Sequence, residues 1–354
     1  MTEAQQKSVL YESEKYGKPS DWFSHIVIVR SDVQREYFPT FDAYDSELEC
    51  VSRAEAVKIE IEKLGIKATI VIANDNLSVQ LLKLKPDLCI NFTDSIRGNM
   101  PACAGIPTIF DLLQIPYVGA STLCLSLNCN KFLTKTILEA WDIPTPQYQL
   151  MRDPKQPLDY HLRFPLICKL NEEHGGVGIS ERSIVTNEKE FRTHLSWLMS
   201  TYHQAVLVEE FIEDGQELTA LAMEKEKVKV YLCKRVFHSS PGPFQILTYY
   251  QPDPYDPNSK PADPDITHEK YIDHSGKIRG HVRQAFEVLR LDDYARMDIM
   301  LDKYGNHFIV DVNSNPSLGP TEPVAEVARV NGKTFQEVLV TILRRNMMDR
   351  NPEW

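Results

Sequence analysis

Two aspartates and an asparagine near the C-terminal end of this 354-residue chain have the types and spacing to hold a divalent cation. The stretch Tyr294 to Gly319, YARMDIMLDKYGNHFIVDVNSNPSLG, carries two apolar-alternating runs, Arg296 to Asp302 and His307 to Asn313. Between them Lys303-Tyr304-Gly305-Asn306 has the Gly and Asn of a tight turn, which predicts an antiparallel hairpin. With Leu301 facing Phe308, Asp298 stands opposite Asp311 and Arg296 opposite Asn313, on the face away from Met297, Ile299, Leu301, Phe308, Val310 and Val312. Carboxylates paired across strands repel, and burial raises at least one pKa, so the arrangement is best kept by a cation between them. Oxygen ligands favour magnesium, with manganese as the alternate ion. Magnesium takes one or two protein carboxylates and fills its octahedron with waters and substrate phosphates, so the hairpin predicts a nucleotide. The plain alternative is a surface hairpin whose acids face water. The arginine on the same face and the Asn313-Ser314-Asn315-Pro316 exit set this stretch apart from it.

Three upstream stretches could meet that nucleotide. Lys169 closes the apolar run Phe164 to Leu170 and precedes Asn171 to Ile179, where Gly175, Gly176 and Gly178 can turn successive N–H groups toward an anion while the lysine adds a point charge. Leu127 to Lys135 opens a helix with Leu133, Ile137, Ala140 and Trp141 as its apolar stripe, ended by Asp142, Pro144 and Pro146. Lys131 and Lys135 share a face of it. Lysines at i and i+4 are ordinarily solvated, and Lys131 alone is retained as a candidate. Ala205 to Glu209 is an apolar strand that runs into Glu210, Phe211 and Ile212. Such a junction exposes backbone that can read a purine edge, and Glu217 can accept from ribose hydroxyls; an acidic surface loop is the alternative.

These candidates need a frame. His25 to Val29 and Ala68 to Ala73 read as buried strands around a helix, Ser46 to Leu64, closed by Gly65. Leu77 to Leu84, Asp87 to Phe92, Ile106 to Leu113 and Tyr117-Val118 continue the alternation, so the first domain is a small doubly wound sheet. The turn Arg30-Ser31-Asp32 lacks the glycines of a dinucleotide fingerprint, which excludes NAD. His238 to Ser275 holds seven prolines between Pro241 and Pro264 and predicts irregular backbone, read as a substrate lid. Gly280 to Arg290, Glu322 to Val330 and Thr334 to Asn346 are helices, and residues 1 to 22 a polar, loose extension.

Composition narrows the function. Charged residues at 25% and hydrophobic residues at 42% are those of a folded globular protein of two or three domains, at about 150 residues each. A net charge of -11 without a basic stripe excludes a nucleic-acid partner. Seven cysteines without metal spacing read as reduced, buried side chains. The N-terminus has no apolar signal core and no apolar run reaches about 18 residues, so a cytoplasmic protein without membrane partners is expected.

Taken in order, the Lys131 helix, the Lys169 strand, the glycine loop, the Glu209 strand and RMDIMLD…G…FIVDVNSNP resemble the ATP-grasp superfamily, and within it the D-alanine-D-alanine ligase branch, from about residue 86 to 330. The resemblance implies an α/β and α+β protein: an extension (1–22), an N-terminal doubly wound parallel sheet (23–125), and two α+β domains clasping ATP, a central one (126–211) and a C-terminal one (212–354) with the lid at 238–275. It implies a homodimer. Lys131 and Lys169 match the lysines that hold ATP phosphates, Gly175, Gly176 and Gly178 the flexible loop, Glu209 the adenine-contacting acid and Glu217 the ribose acid, with Glu210, Phe211 and Ile212 on the adenine. Asp298, Asp311 and Asn313 match the magnesium ligands, position 311 being usually Glu. Arg296 matches the arginine on the reacting groups; with Lys169 and Gly176 it forms the implied catalytic set. Glu173, Tyr250, Asn315, Ser317 and Glu322 fall around the substrates.

The implied chemistry is attack of a carboxylate on the γ-phosphate of ATP, giving an acyl phosphate and ADP, then displacement of phosphate by an amine. Three departures point away from D-alanine. The first turn reads Arg30 to Glu36 without the branch's Gly-Gly, Ser and amine-binding Glu. Gly175-Gly176 stands where serines are usual, and Glu322-Pro323 replaces the serine and leucine that meet the acceptor carboxylate. The expectation is a ligase for another amino acid or a biosynthetic intermediate. A D-alanine-D-alanine ligase and a non-catalytic ATP-binding module are the alternatives.

Overall fold

The computed structural model describes residues 16–224, 227–238 and 265–350. In the first sheet β1 (His25–Ser31) lies between β2 (Lys67–Ala73) and β3 (Leu88–Phe92), with β4 (Tyr117–Val118) beyond β3, all parallel. Both faces are covered. Ile26 and Ile28 meet Val57 and Ile61 of α1 (Phe41–Lys63), while Val27 and Val29 meet Leu81 of α2 (Leu77–Leu84) and Phe110 of α3 (Gly105–Leu112). That double burial is why His25 to Val29 reads as a continuous apolar run rather than an alternating one. α1 starts five residues before the expected Ser46, because the Thr40 hydroxyl caps it by accepting from the Ala43 N–H.

Where one helix is expected from Leu127, the chain forms two: α4 (Thr122–Asn128) and α5 (Lys131–Ala140), the second capped by Asn130 accepting from the Leu133 N–H. The apolar stripe assigned to α5 is corrected. Leu133 is 42% and Trp141 55% exposed, and the buried residues are Thr134, Lys135 and Leu138. The second sheet is antiparallel, in the order β5 (Tyr148–Met151), β8 (Val206–Glu210), β6 (Leu166–Leu170), β7 (Ile184–Val185). Phe191, Leu195 and Leu198 of α6 (Glu188–Tyr202) back it.

The third sheet, also antiparallel, runs β11 (Ile266–Lys270), β10 (Lys229–Phe237), β9 (Gln216–Met223), β12 (Tyr294–Leu301), β13 (His307–Asn313). β11 corrects the reading of His238 to Ser275 as wholly irregular: Ile266 to Lys270 pairs with β10 as an edge strand. Most of the expected lid, Tyr249 and Tyr250 included, lies outside the described residues. α7 (Lys277–Val288) covers one face of this sheet through Val282 and Phe286. α8 (Pro323–Val330) and α9 (Phe335–Arg350) join the first sheet, Val324 and Ile342 sharing one core with Ile26 and Leu88. Tyr16 and Trp22 pack on that core, so the described part of the extension is anchored. No helix among the described residues is long and apolar enough to cross a membrane.

The β12–β13 pairing carries a further correction. Leu301 faces His307 and Met300 faces Phe308, so the assumed Leu301–Phe308 pair does not form. A bulge between Asp298 and Ile299 shifts the ladder by one, and beyond it Asp298 stands opposite Asp311 and Arg296 opposite Asn313. Val310 is the extra residue; instead of facing away from the acids it packs with Ile167 and Met300 toward the second sheet.

Candidate active site

A cleft of about 330 Å³ separates the second and third sheets. Strand pairing places the charges of its floor. Asp298 accepts from Arg296 Nη2 at 3.1 Å, Asp311 accepts from Lys131 Nζ at 3.3 Å, and Asn313 Nδ2 donates to Asp311 at 3.3 Å. Burial alone would raise the Asp311 pKa, but Lys131, Lys169 and Arg296 outweigh it and hold it at about 2. Arg296 is raised, burial being overcome by Asp298 and Asp311, and its Nε is buried without a partner.

On the opposite wall Glu209, 1% exposed, follows the apolar run Val206 to Val208 of β8. One of its oxygens, Oε2, meets Lys169 at 3.2 Å and Lys135 at 3.3 Å; the other has no hydrogen-bond partner. Lys135 corrects the expectation of a solvated lysine. It is 3% exposed, donates to the Thr145 hydroxyl at 2.7 Å, and is pulled down to about 8 by burial despite Glu209. The signal that could have found it is Glu209 itself: a buried acid demands a buried base.

The glycine loop follows β6. Gly175, Gly176 and Gly178 all have positive φ, +62°, +76° and +71°. A Cβ on Gly175 would meet Ser46 Oγ of α1 at 2.2 Å, and one on Gly178 would meet Leu170 at 3.0 Å, so only glycine fits either place. Apolar walls complete the cleft: Ile167 and Met300 packed with Phe211, Ile212 and Val310. The Glu210 and Phe211 N–H groups already donate to the Gln147 and Pro165 carbonyls. Glu217, on the third sheet, is paired with Arg235 in the same cleft.

The remaining candidates lie apart from this cleft or on its border. Glu173 lines both the cleft and a neighbouring cavity; burial raises it to about 6 against the pull of His174 and a hydrogen bond from Gln204 at 3.1 Å. Asn315 and Ser317 line only the neighbouring cavity, and Glu322 reaches toward it through Arg53.

Two antiparallel sheets closing on paired carboxylates, lysines and a glycine turn, beside a parallel α/β sheet, make the ATP-grasp fold. The chain belongs to the family described as D-ala D-ala ligase C-terminus, whose profile matches residues 137–344. Among solved structures, D-alanine–D-alanine ligase from Bacillus anthracis complexed with ATP superposes with a TM-score of 0.69 at 17% identity, covering 94% of this chain and 100% of that one. Among sequences, an uncharacterised Sinorhizobium fredii protein, y4sG, is 24% identical, covering 82% of this chain and 86% of its own length. A D-alanine–D-alanine ligase from Synechococcus is 25% identical over 82% of this chain and 86% of its own. Family membership makes this protein an ATP-dependent, amide-bond-forming ligase.

Proposed function

We propose that the protein joins a carboxylate other than D-alanine to an amine through an acyl phosphate, with ATP held in the cleft and magnesium on the β12–β13 hairpin. The carrying observation is the facing pair Asp298 and Asp311, met by Arg296 and Lys131. The residues fit both groups. Asp298, Asp311 and Asn313 offer oxygen donors on one face, and the unpartnered Glu209 oxygen and Arg296 nitrogen are buried donors and acceptors awaiting a ligand.

Magnesium bound there neutralises charge on the transferring phosphoryl. Lys131 and Lys169 would leave Asp311 and Glu209 to hold phosphate oxygens. Glu209 would accept from the purine amino group, and the Ile212 N–H follows the two already engaged at Glu210 and Phe211. Glu217 would turn from Arg235 to the ribose. Arg296 would stabilise the oxyanion that develops when the amine adds to the acyl phosphate, and the glycine loop would cover the phosphates and exclude water. The reading carries with it a homodimer in the cytoplasm, which size determination in solution tests.

The test is phosphate release from ATP and Mg²⁺ by the purified protein over pairs of carboxylates and amines, D-alanine with itself included. Release with a non-D-alanine pair supports the proposal. Release with D-alanine alone makes it a D-alanine–D-alanine ligase, and silence with ATP bound points to an unusual carboxylate or a non-catalytic module.

A further inference from the structure

Beside the nucleotide cleft lies a second cavity of about 130 Å³, sharing Glu173, His174, Arg296 and Asn313 with it. Its outer wall is one stripe of α1, Ser46, Glu49 and Arg53, at the i, i+3, i+7 spacing that puts residues on one helix face. Thr93 and Asp94, just after β3, form the back, and the loop after β13 forms the floor. Arg53, 6% exposed, is already engaged: Asp94 Oδ2 lies 3.1 Å from one nitrogen and Glu322 4.0 Å from another.

Charge here does not balance as it does in the cleft. Lys131 and Arg296 belong to Asp311 and Asp298, so Arg53 is left to face Asp94, Glu322 and Glu49 together. Two details of local structure aim Glu322 at this corner. It is the N-cap of α8, yet its side chain makes no capping hydrogen bond. Gly319 leaves it room: a Cβ there would meet Glu322 Cγ at 2.8 Å. Independently, the Thr93 hydroxyl oxygen on the cavity wall is buried, the residue being 1% exposed, and it has no hydrogen-bond partner. A buried hydroxyl without a partner leaves a hydrogen-bonding position unfilled beside the cavity.

Resting on the ligase reading, we propose that this cavity holds the amine substrate and that this substrate carries a second ammonium group, as a diamine or an amino acid with a basic side chain does. The reacting nitrogen lies at the border with the cleft, near Arg296 and Asn313. The second ammonium lies among Glu49, Asp94, Glu322 and the Thr93 hydroxyl. A substrate carboxylate in that corner would meet surplus negative charge, since the one arginine there is bracketed by acids.

Two measurements on the full chain with Mg²⁺ test this separately from ligation. Calorimetric titration compares 1,4-diaminobutane and L-lysine with the matched monoamines 1-aminobutane and L-norleucine, in the presence of ADP. Tighter binding of the dications by about tenfold, reduced to parity by Glu322→Gln with Glu49→Gln, is expected. Equal affinity for the members with two ammonium groups and those with one, or preference unmoved by both substitutions, overturns the proposal. ADP release with the same amines over a panel of carboxylates gives the second arm. Dications bound without turnover support the charge preference of the cavity and sink its assignment to the reacting amine. Turnover that favours the monoamines sinks the cavity assignment and leaves the ligase standing.

Discussion

The nucleotide cleft and the neighbouring cavity are built from similar residues with opposite electrostatic design. On the floor and far wall of the cleft the acids have bases: Asp298 with Arg296, Asp311 with Lys131, Glu209 with two lysines. In the cavity Arg53 stands among Asp94, Glu322 and Glu49. The first arrangement is balanced without a ligand and, on the proposed function, would exchange internal partners for phosphates and metal. The second is complete only with a cation from outside. On the proposed function, shared chemistry and substrate choice would sit in separate walls: the hairpin, Lys169 on β6 and the lysines of α5 in one, the selective acids on α1, the loop after β3 and the start of α8 in the other.

The comparison predicts the sharpest loss in the cleft. Asp311→Asn removes a proposed metal ligand and leaves Lys131, Lys169 and Arg296 facing one another. ADP formation should fall on the order of 10³-fold or more, the scale of removing preorganised charge stabilisation. Turnover surviving that change would break the hairpin assignment. Glu209→Gln comes next. It strands the buried Lys135 and the half-buried Lys169, and a loss of roughly 3–5 kcal/mol in denaturant unfolding is expected. Lys135→Met leaves Glu209 its second lysine and should cost less than half as much; no loss would mean that Lys135 is not part of the balance, and a loss equal to that of Glu209→Gln that Lys169 does not share it.

How much of this was readable from the chain follows from which physical signals are local. The apolar strands of the first sheet and the facing aspartates were, because burial on both faces and period-two alternation write themselves into consecutive residues. The bulge at Val310 was not, since one inserted residue leaves the alternation on either side looking regular. The pairing of Asp298 with Asp311 was inferred from a turn register that does not form, and holds because the bulge shifts the ladder by one. The buried face of α5 was misread for a different reason. Leu133 and Trp141 look like core, but the helix turns Lys135 inward to meet Glu209, a partner 74 residues away in sequence. The second cavity draws on α1, β3 and α8 at once, and no spacing within one segment announces it.

The two regions should also differ in the sign of their pH dependence. Asp311, held at about 2 against an ordinary 3.8, contributes stability above pH 3.8 that is lost as pH falls toward 2. Glu173, at the border, is pushed the other way, from 4.5 to about 6. Its folded form keeps a proton that the unfolded chain has released, so its contribution is present below pH 4.5 and lost as pH rises to 6. At about 1.4 kcal/mol per unit the change is on the order of 2 kcal/mol. Glu173→Gln should flatten unfolding free energy between pH 4.5 and 6; an unchanged slope there would mean that folding does not hold the Glu173 proton.

The smallest effect separates the regions most cleanly, because it reverses sign. Glu49 is raised by burial and by the neighbouring Glu322, so in the empty protein its ionised form is opposed by what surrounds it. Glu49→Gln keeps the side chain's volume and removes the repulsion, so the melting temperature should rise. The residue stands at the exposed mouth of the cavity and water screens it, which limits the gain to about 0.5 kcal/mol. The same substitution should weaken binding of a dicationic amine. In the cleft, losing an acid costs stability and activity together; at Glu49 stability should rise as affinity falls, which is the behaviour of a charge placed for a ligand. A lower melting temperature for Glu49→Gln would mean that its carboxylate is already balanced by Arg53, and the contrast between the two regions would disappear.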